Sequence, residues 1–476
     1  MAVSVLLLMM GVLHSVYGLV EYVVYPADKR DVTACSQINN RLIELLGNSK
    51  VQFYNSRIRR TTEFWLIQAL EQSKATVLQI PGVDAVMENV IVSQNAGENF
   101  TNSSASTLVM DIVSNQTSPE LNSPLRHQGN GPQDLDLVSW PPRKRLPLFG
   151  KMQWYVYDVA RSVDTYIYIV DNGINMDNTE FKSMPWPPEP DEWHYAYGVS
   201  QSTTDDNLAG HGSCVASKAA GWKTGVSKNS QLIVMKALLT LADVNYAFAA
   251  ALDDIMEHGR QRKAVVLYPA TSIQTFDART ALPRNWRSVN ELIQELFAQD
   301  VVVVTAAGNN AARSSALNTV PAMWGLDENF PLIVAGAVTT EGTFAGFSQG
   351  AATPSEILWA PGENIVCANG PSLPGFVIRS GTSYAAAMVA GLAAYELTAP
   401  NPPPRGSVAR AIRRRLLASS RPIYPLTGPS VIWNGQNGAL NVQLNNSTSQ
   451  SVLQLVHNAT LGSGTTNSTK GQALIA

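Results

Sequence analysis

The stretch Arg379-Ser-Gly-Thr-Ser-Tyr-Ala-Ala-Ala-Met-Val-Ala-Gly391 puts Ser383 between a turn of small residues and an alanine-rich helix. A turn at this place is expected to expose the hydroxyl. The helix N-terminus directs backbone N–H groups and a positive dipole end to the place where a negative oxygen would form. Alanine-rich helices that begin with Ser or Thr are also ordinary caps. The stretch therefore gains meaning only from partners elsewhere in the chain.

One partner segment is Tyr166-Ile-Tyr-Ile-Val-Asp-Asn-Gly-Ile-Asn175, where apolar and β-branched residues run into Asp171. The pattern predicts a buried parallel strand with a carboxylate at its C-terminal end. Ligands and reacting groups collect there in open α/β sheets. Read alone, Asp-Asn-Gly is a plain turn. Another segment is Ala209-Gly-His-Gly-Ser-Cys-Val-Ala-Ser217. Of the six histidines, His14 lies in an apolar N-terminal run, His127 in a polar linker and His457 in a polar tail. Among His194, His211 and His258, only His211 sits between two glycines, which allow close approach.

Asp171, His211 and Ser383 follow one another at separations of 40 and 172 residues. Serine is a weak nucleophile until a base takes its proton. Imidazole does so near neutral pH, and a buried carboxylate holds the ring in the required tautomer. The order Asp, His, Ser is one of three that such triads take. No Asp follows Ser383, the only Glu after it is Glu396, and Tyr384-Ala385 replaces the x-Gly of a nucleophile elbow, so the α/β-hydrolase order lacks partners. A fourth segment, Asp300-Val-Val-Val-Val-Thr-Ala-Ala-Gly-Asn-Asn310, reads as a buried strand ending in Gly308-Asn309. An amide there can donate to an oxyanion, although Gly-Asn is also common turn chemistry.

With these four segments the chain resembles the subtilisin-like serine proteases, most closely the secreted fungal members, from roughly Trp140 to Gly438. The resemblance implies a subtilisin-like α/β fold, a mostly parallel sheet flanked by helices on both faces. It implies a triad of Asp171, His211 and Ser383, with Asn309 and the Ser383 N–H as the oxyanion hole. It also implies that Tyr268 and Ala270 face substrate, and that Ala306, Ala307 and Gly308 line a roomy first pocket suited to apolar side chains. The chain departs from the family pattern in several places. Ala387 and Met388 stand where the family carries Pro and His. His211-Gly-Ser-Cys214 replaces His-Gly-Thr-His. Ala264-Val-Val-Leu-Tyr-Pro-Ala-Thr271 replaces the glycine-bearing substrate strand, and Pro269 removes a backbone donor there. The loop from Leu238 to Val244 lacks the usual glycines. These departures motivate a competing reading, a catalytically weak protein of this fold that binds peptides or a partner.

The preceding residues read as strands at Tyr22–Tyr25, Val51–Tyr54, Thr62–Ala69 and Val83–Ile91, with helices at Val32–Leu46 and Leu70–Ile80. That is β-α-β-β-α-β, a small ferredoxin-like α+β unit. Glu63-Phe-Trp65 and Pro81-Gly-Val-Asp-Ala-Val86 resemble the inhibitor-type propeptide of the same family, which implies that the unit assists folding and then blocks the cleft. The expected organisation is a signal peptide at 1–18, propeptide at 19–93, flexible linker at 94–135, catalytic domain at 136–440 and polar tail at 441–476. The linker reading follows from its Ser, Asn, Gln and Pro content. The apolar run 3–12 has signal-peptide length and falls far short of a membrane span. Arg143-Lys144-Arg145 reads equally as a processing site or a solvated basic turn.

Composition agrees with a secreted protein. Net charge is −3 and charged residues make up 15%, which argues against nucleic acid as a partner. Sequons at Asn99, Asn102, Asn115, Asn445, Asn446, Asn458 and Asn467 avoid residues 120 to 440. The expected partners are polypeptide substrates and the chain's own propeptide, with the protein a monomer. No cofactor is needed for the chemistry and no metal ligands are assigned; calcium stays open, with Asp205 and Asp206 read as a solvated loop rather than as ligands. Three cysteines exclude a disulfide-dense scaffold. Cys214 is read as a small buried packing residue, and a Cys214–Cys367 bridge stays open because spacing does not decide it.

Overall fold

A computed structural model of the chain describes residues 18–95, 124–129, 131–141, 154–197, 199–277, 284–350, 357–371, 375–423 and 428–436. The signal-peptide run, Arg143-Lys144-Arg145, the seven sequons and the tail lie outside the described residues.

The N-terminal unit consists of β1 (Leu19–Pro26), α1 (Val32–Leu46), β2 (Val51–Ser56), β3 (Thr61–Leu70), α2 (Ser73–Leu78) and β4 (Val83–Glu88). Its antiparallel sheet has the order β2-β3-β1-β4. Helix α1 has the expected bounds because both ends are written locally. Asp31 Oδ1 accepts from the Ala34 N–H at 2.9 Å, and Gly47 with φ 89° ends the helix. Helix α2 is shorter than expected, since β3 continues to Leu70 in register with Leu19. Strand β4 also stops early, at Glu88, and Ile91 instead bridges Thr240 in the following domain.

Three elements fall where a linker was expected. β5 (Ser93–Asn95) is a short strand, β6 (Leu125–Gly129) pairs antiparallel with β7 (Trp154–Asp158), and α3 (Gln133–Val138) buries Leu135, Leu137 and Val138. Polar composition hid this segment, because its partner strand comes later in the chain. Asp134 of α3 forms a buried ion pair with Lys218. The globular part therefore begins at or before Leu125, not at residue 136.

The large domain then continues with β8 (Tyr166–Asp171), α4 (Thr179–Lys182), β9 (Trp193–Tyr195), α5 (His211–Ala220), β10 (Gln231–Lys236), α6 (Leu241–Glu257), β11 (Ala264–Tyr268), β12 (Ala270–Ser272), α7 (Arg284–Ala298), β13 (Val302–Ala306) and β14 (Ile333–Val338). It ends with β15 (Leu358–Pro361), β16 (Ile365–Ala368), β17 (Phe376–Arg379), α8 (Thr382–Leu397), α9 (Val408–Ser419), β18 (Arg421–Pro422) and β19 (Ser430–Val431). The main sheet has the order β18-β19-β15-β14-β13-β11-β8-β10-β9 and is parallel except for β18 against β19. Side chains alternate across the strands. Ile167 and Ile169 pack with Val215, Ala386 and Ile412 on one face, whereas Tyr168 and Val170 pack with Phe248 and Leu292 on the other. This is the expected sheet between two helical layers. From β8 the chain first adds β10 on one side, then crosses back to add β11 on the other. The C-terminal end of β8 is therefore a topological switch point, where a crevice opens.

Cys214 and Cys367 form a disulfide with Cα atoms 4.9 Å apart. This corrects the packing role read for Cys214; α5 lies against β16, which brings together two cysteines 153 residues apart.

Candidate active site

Asp171 ends β8 at the switch point and is fully buried. Its Oδ1 accepts from the Asn172 N–H at 2.8 Å, and its Oδ2 lies 2.8 Å from His211 Nδ1. His211 opens α5, after Gly210 in the left-handed region with φ 76°. The following glycine is required by space. A Cβ on Gly212 would come within 2.1 Å of the Gly173 carbonyl oxygen and 3.1 Å of Asp171 Oδ1. The turn that carries Asp171 and the helix that carries His211 thus touch backbone to backbone.

Ser383 lies in the first turn of α8, a helix buried along nearly its whole length, and is itself fully buried rather than exposed by the turn. Its hydroxyl donates to the Pro269 carbonyl at 2.7 Å, so it reaches the joint between β11 and β12. The next side chain, Tyr384, sets its ring 5.6 Å from the His211 ring. Asn309 follows β13, and its Oδ1 accepts from the Thr382 N–H at 2.9 Å. Thr382 Oγ1 in return accepts from the Gly308 N–H at 3.1 Å. These two bonds clamp the turn after β13 onto the N-terminus of α8. With Oδ1 used as the acceptor, the Asn309 amino group is the donor end of the side chain.

Tyr268, Ala270, Ala306 and Ala307 are fully buried. Gly308 has φ 107°, and Gln349 Oε1 lies 2.4 Å from where a Cβ would stand, so the turn excludes any larger residue. The N-terminal unit reaches the same place. β5 pairs antiparallel with β12, with Asn95 opposite Ala270 and Ser93 opposite Ser272. The Val92 N–H donates to the Leu239 carbonyl, and the Ile273 N–H donates to the Val92 carbonyl.

Some of the site was not foreseen. Thr382 is one such residue. Asp205 is another, and it corrects the solvated-loop expectation: it is buried and accepts from the Ser213 N–H and hydroxyl. Asp206 is exposed and pairs with buried Lys236 at 2.8 Å, so only Asp205 departs from the solvated reading. The only signal in the sequence was an acid six residues before His211 and a hydroxyl two residues after it.

The chain is similar to several known proteins. Residues 163–454 match the subtilase family. The chain is 28% identical over 282 residues to subtilisin-like protease 2 of Arthroderma otae, covering 56% of this chain and 58% of that one. It is 29% identical over 246 residues to alkaline protease 1 of Aspergillus clavatus, covering 51% and 54%. The chain thus spans little more than half the length of the curated relatives it matches. Among solved structures, a cold adapted subtilisin-like serine proteinase is 21% identical and covers 64% of this chain and 98% of that one, with a TM-score of 0.47. The match over most of the large domain, on a parallel sheet with this strand order, makes the chain a member of the subtilase family.

Proposed function

We propose that the chain is a secreted serine endopeptidase, made as an autoinhibited precursor, that cuts peptide bonds through an acyl-enzyme on Ser383. The observation that carries this reading is the buried Asp171–His211 pair at 2.8 Å, with the Ser383 helix beside it. His211 takes the Ser383 proton as the hydroxyl attacks the peptide carbonyl. Asp171 holds the ring by Nδ1 and stabilises the imidazolium. The carbonyl oxygen becomes an oxyanion, stabilised by the Asn309 amino group and the Ser383 N–H at the positive end of α8. Its collapse expels the amine, which takes the proton from His211. Water then repeats the sequence to release the acid and restore Ser383.

Ala306, Ala307 and Gly308 line a roomy first pocket, which favours apolar side chains before the cut. Tyr268 and Ala270 bear on the substrate strand.

Residues 19–93 act as the inhibitor. Support comes from β5, which begins at the last residue of that span and adds an antiparallel strand to β12 as an extended peptide would. It also comes from Asn89 and Val90, which accept the Ala242 and Leu241 N–H groups at the start of α6. The unit also speeds folding, since the parallel sheet depends on distant pairings that form slowly.

One observation favours the weak-binding alternative. The Ser383 hydroxyl is held by the Pro269 carbonyl, next to the altered substrate strand. A casein digest by the matured protein tests the choice. Proteolysis that falls roughly a million-fold in Ser383→Ala, the size known for subtilisin, supports the enzyme. A correctly processed protein that cuts nothing supports the binding protein.

A further inference from the structure

Asp205 lies six residues before His211 and is 3% exposed. Its Oδ2 accepts from the Ser213 N–H at 2.8 Å and from the Ser213 hydroxyl at 2.6 Å, while Oδ1 accepts from the Asn207 N–H at 3.0 Å. Ser213 Oγ in turn accepts from the Asn175 N–H at 2.8 Å, in the turn that leaves Asp171. The neighbouring Asp206 N–H donates to the Asn172 carbonyl at 2.9 Å. Helix α5 has no side-chain cap of its own, because Gly210 occupies the cap position. Asp205 supplies that cap from an adjacent loop. Three segments are tied together in this way: the turn after Asp171, the loop at 204–207, and the first turn of α5.

We propose that Asp205 is the positioning residue for His211: its carboxylate, through Ser213, holds the first turn of α5 against the turn after Asp171 and so fixes the His211–Asp171 pair. The inference rests on the protease reading given above and concerns the regulation of that same site. Reacting groups displaced by about an ångström lose roughly a hundred-fold in rate, and Gly210 at the cap position has no side chain to share the task.

The charge that acts on Asp205 is Asp171 of β8; in the same loop Asp206 pairs with Lys236 of β10, and Arg379 of β17 donates to the Ala209 carbonyl at 2.8 Å. Burial pushes the Asp205 carboxyl up to about 7; the Ser213 hydroxyl opposes the rise and the Asp171 charge adds to it. The ionised form accepts both Ser213 donors. Activity therefore falls as pH drops through about 7, in addition to any loss from His211. Stability runs the other way. A carboxyl raised above its ordinary 3.8 contributes fully below that value, and the contribution is lost as pH rises through about 7.

The test uses the full chain, allowed to mature, with active sites counted by a fluorophosphonate. kcat and KM on a peptide substrate are measured from about pH 5 to about pH 9. Asp205→Asn is expected to lower kcat about ten- to a hundred-fold with KM within about twofold. The acid limb of kcat/KM should change from two ionisations to one. Ser213→Ala should lose a similar factor, and Ser213→Thr, which keeps the hydroxyl, should recover most of it. Normal kcat and an unchanged acid limb in Asp205→Asn overturn the proposal. If that variant does not mature, equal kcat in Ser213→Ala and Ser213→Thr overturns it. A matured wild-type chain with no turnover overturns the protease reading and this inference with it, whereas active wild type with indifferent variants overturns this inference alone.

Discussion

Asn309 has two hydrogen-bonding ends with different tasks. Its oxygen is tied to the Thr382 N–H, and that bond fixes where its amino group points. If Asn309 serves the proposed oxyanion hole, Asn309→Ala should lower kcat about a hundred- to a thousand-fold with little change in KM, the loss known for the oxyanion-hole amide of subtilisin. Steady-state kinetics check this; a variant within about tenfold of wild type would remove Asn309 from the oxyanion hole. At this scale, legibility depended on whether chemistry or contact decides a role. Asp171, His211 and Ser383 stood out because nucleophile, base and orienting carboxylate must be of fixed types, and chain order removed the rival arrangements. Asp205 and Thr382 did not stand out. Acids and hydroxyls in polar loops are common, and only the three-dimensional approach of two loops selects these. The Cys214–Cys367 bridge was open for the same reason: two cysteines give a separation in sequence but no distance in space.

The N-terminal unit grips helices α6 and α7 by charge. Arg59 Nε donates to Asp253 Oδ1 at 2.7 Å, and its Nη1 lies 3.1 Å from Glu295. Tyr54 and Ser56 donate to the same Asp253, and Lys29 reaches Glu295 at 2.6 Å. The Arg59 side chain is only 7% exposed, and Arg59→Ala leaves Asp253 with only the neutral donors Tyr54 and Ser56, and Glu295 with only Lys29. We expect the contact to weaken by about 3 kcal/mol. The measurement is inhibition of the matured enzyme by added N-terminal unit, wild type against variant; equal inhibition constants would refute the role. Acid should also loosen the unit. Burial acts to raise the Glu63 carboxyl, but Arg59, Lys29 and the Thr61 hydroxyl outweigh it and hold the group below its ordinary range. A lowered carboxyl contributes stability above its unfolded value, and the contribution is lost as pH falls through the lowered one. Unfolding followed at stepped pH below about 4.5 checks this, with falling stability expected. Elements bounded by local signals, such as α1 between Asp31 and Gly47, were legible to the residue. The segment holding β6 and α3 was not, since a polar strand becomes one only by pairing with β7.

At the scale of the molecule, three features follow from how distant segments join. The disulfide closes a 153-residue loop that holds α5, the helix carrying His211, against β16. Replacing both cysteines by serine should cost about 2–4 kcal/mol in denaturant unfolding; no loss would mean that packing alone holds the joint. Strand β6 and helix α3 are integral to the large domain, where Arg421 donates to the Leu137 carbonyl at 2.8 Å and the Asn434 N–H donates to the Val138 carbonyl at 3.0 Å. N-terminal sequencing of the matured protein should therefore find a start after Asn95 and before Leu125. A start beyond Arg145, with residues 125–138 lost, would contradict this. The three-layer architecture was legible because the strands Tyr166–Asp171 and Asp300–Ala306 are too apolar for anything but a sheet covered on both faces. Peptide mapping of the matured protein after fluorophosphonate treatment reads out the proposed nucleophile and its base together. We expect one adduct, on Ser383, that disappears when His211 is replaced by alanine. A processed, folded protein with no adduct on Ser383, or one whose labelling ignores His211, would contradict it.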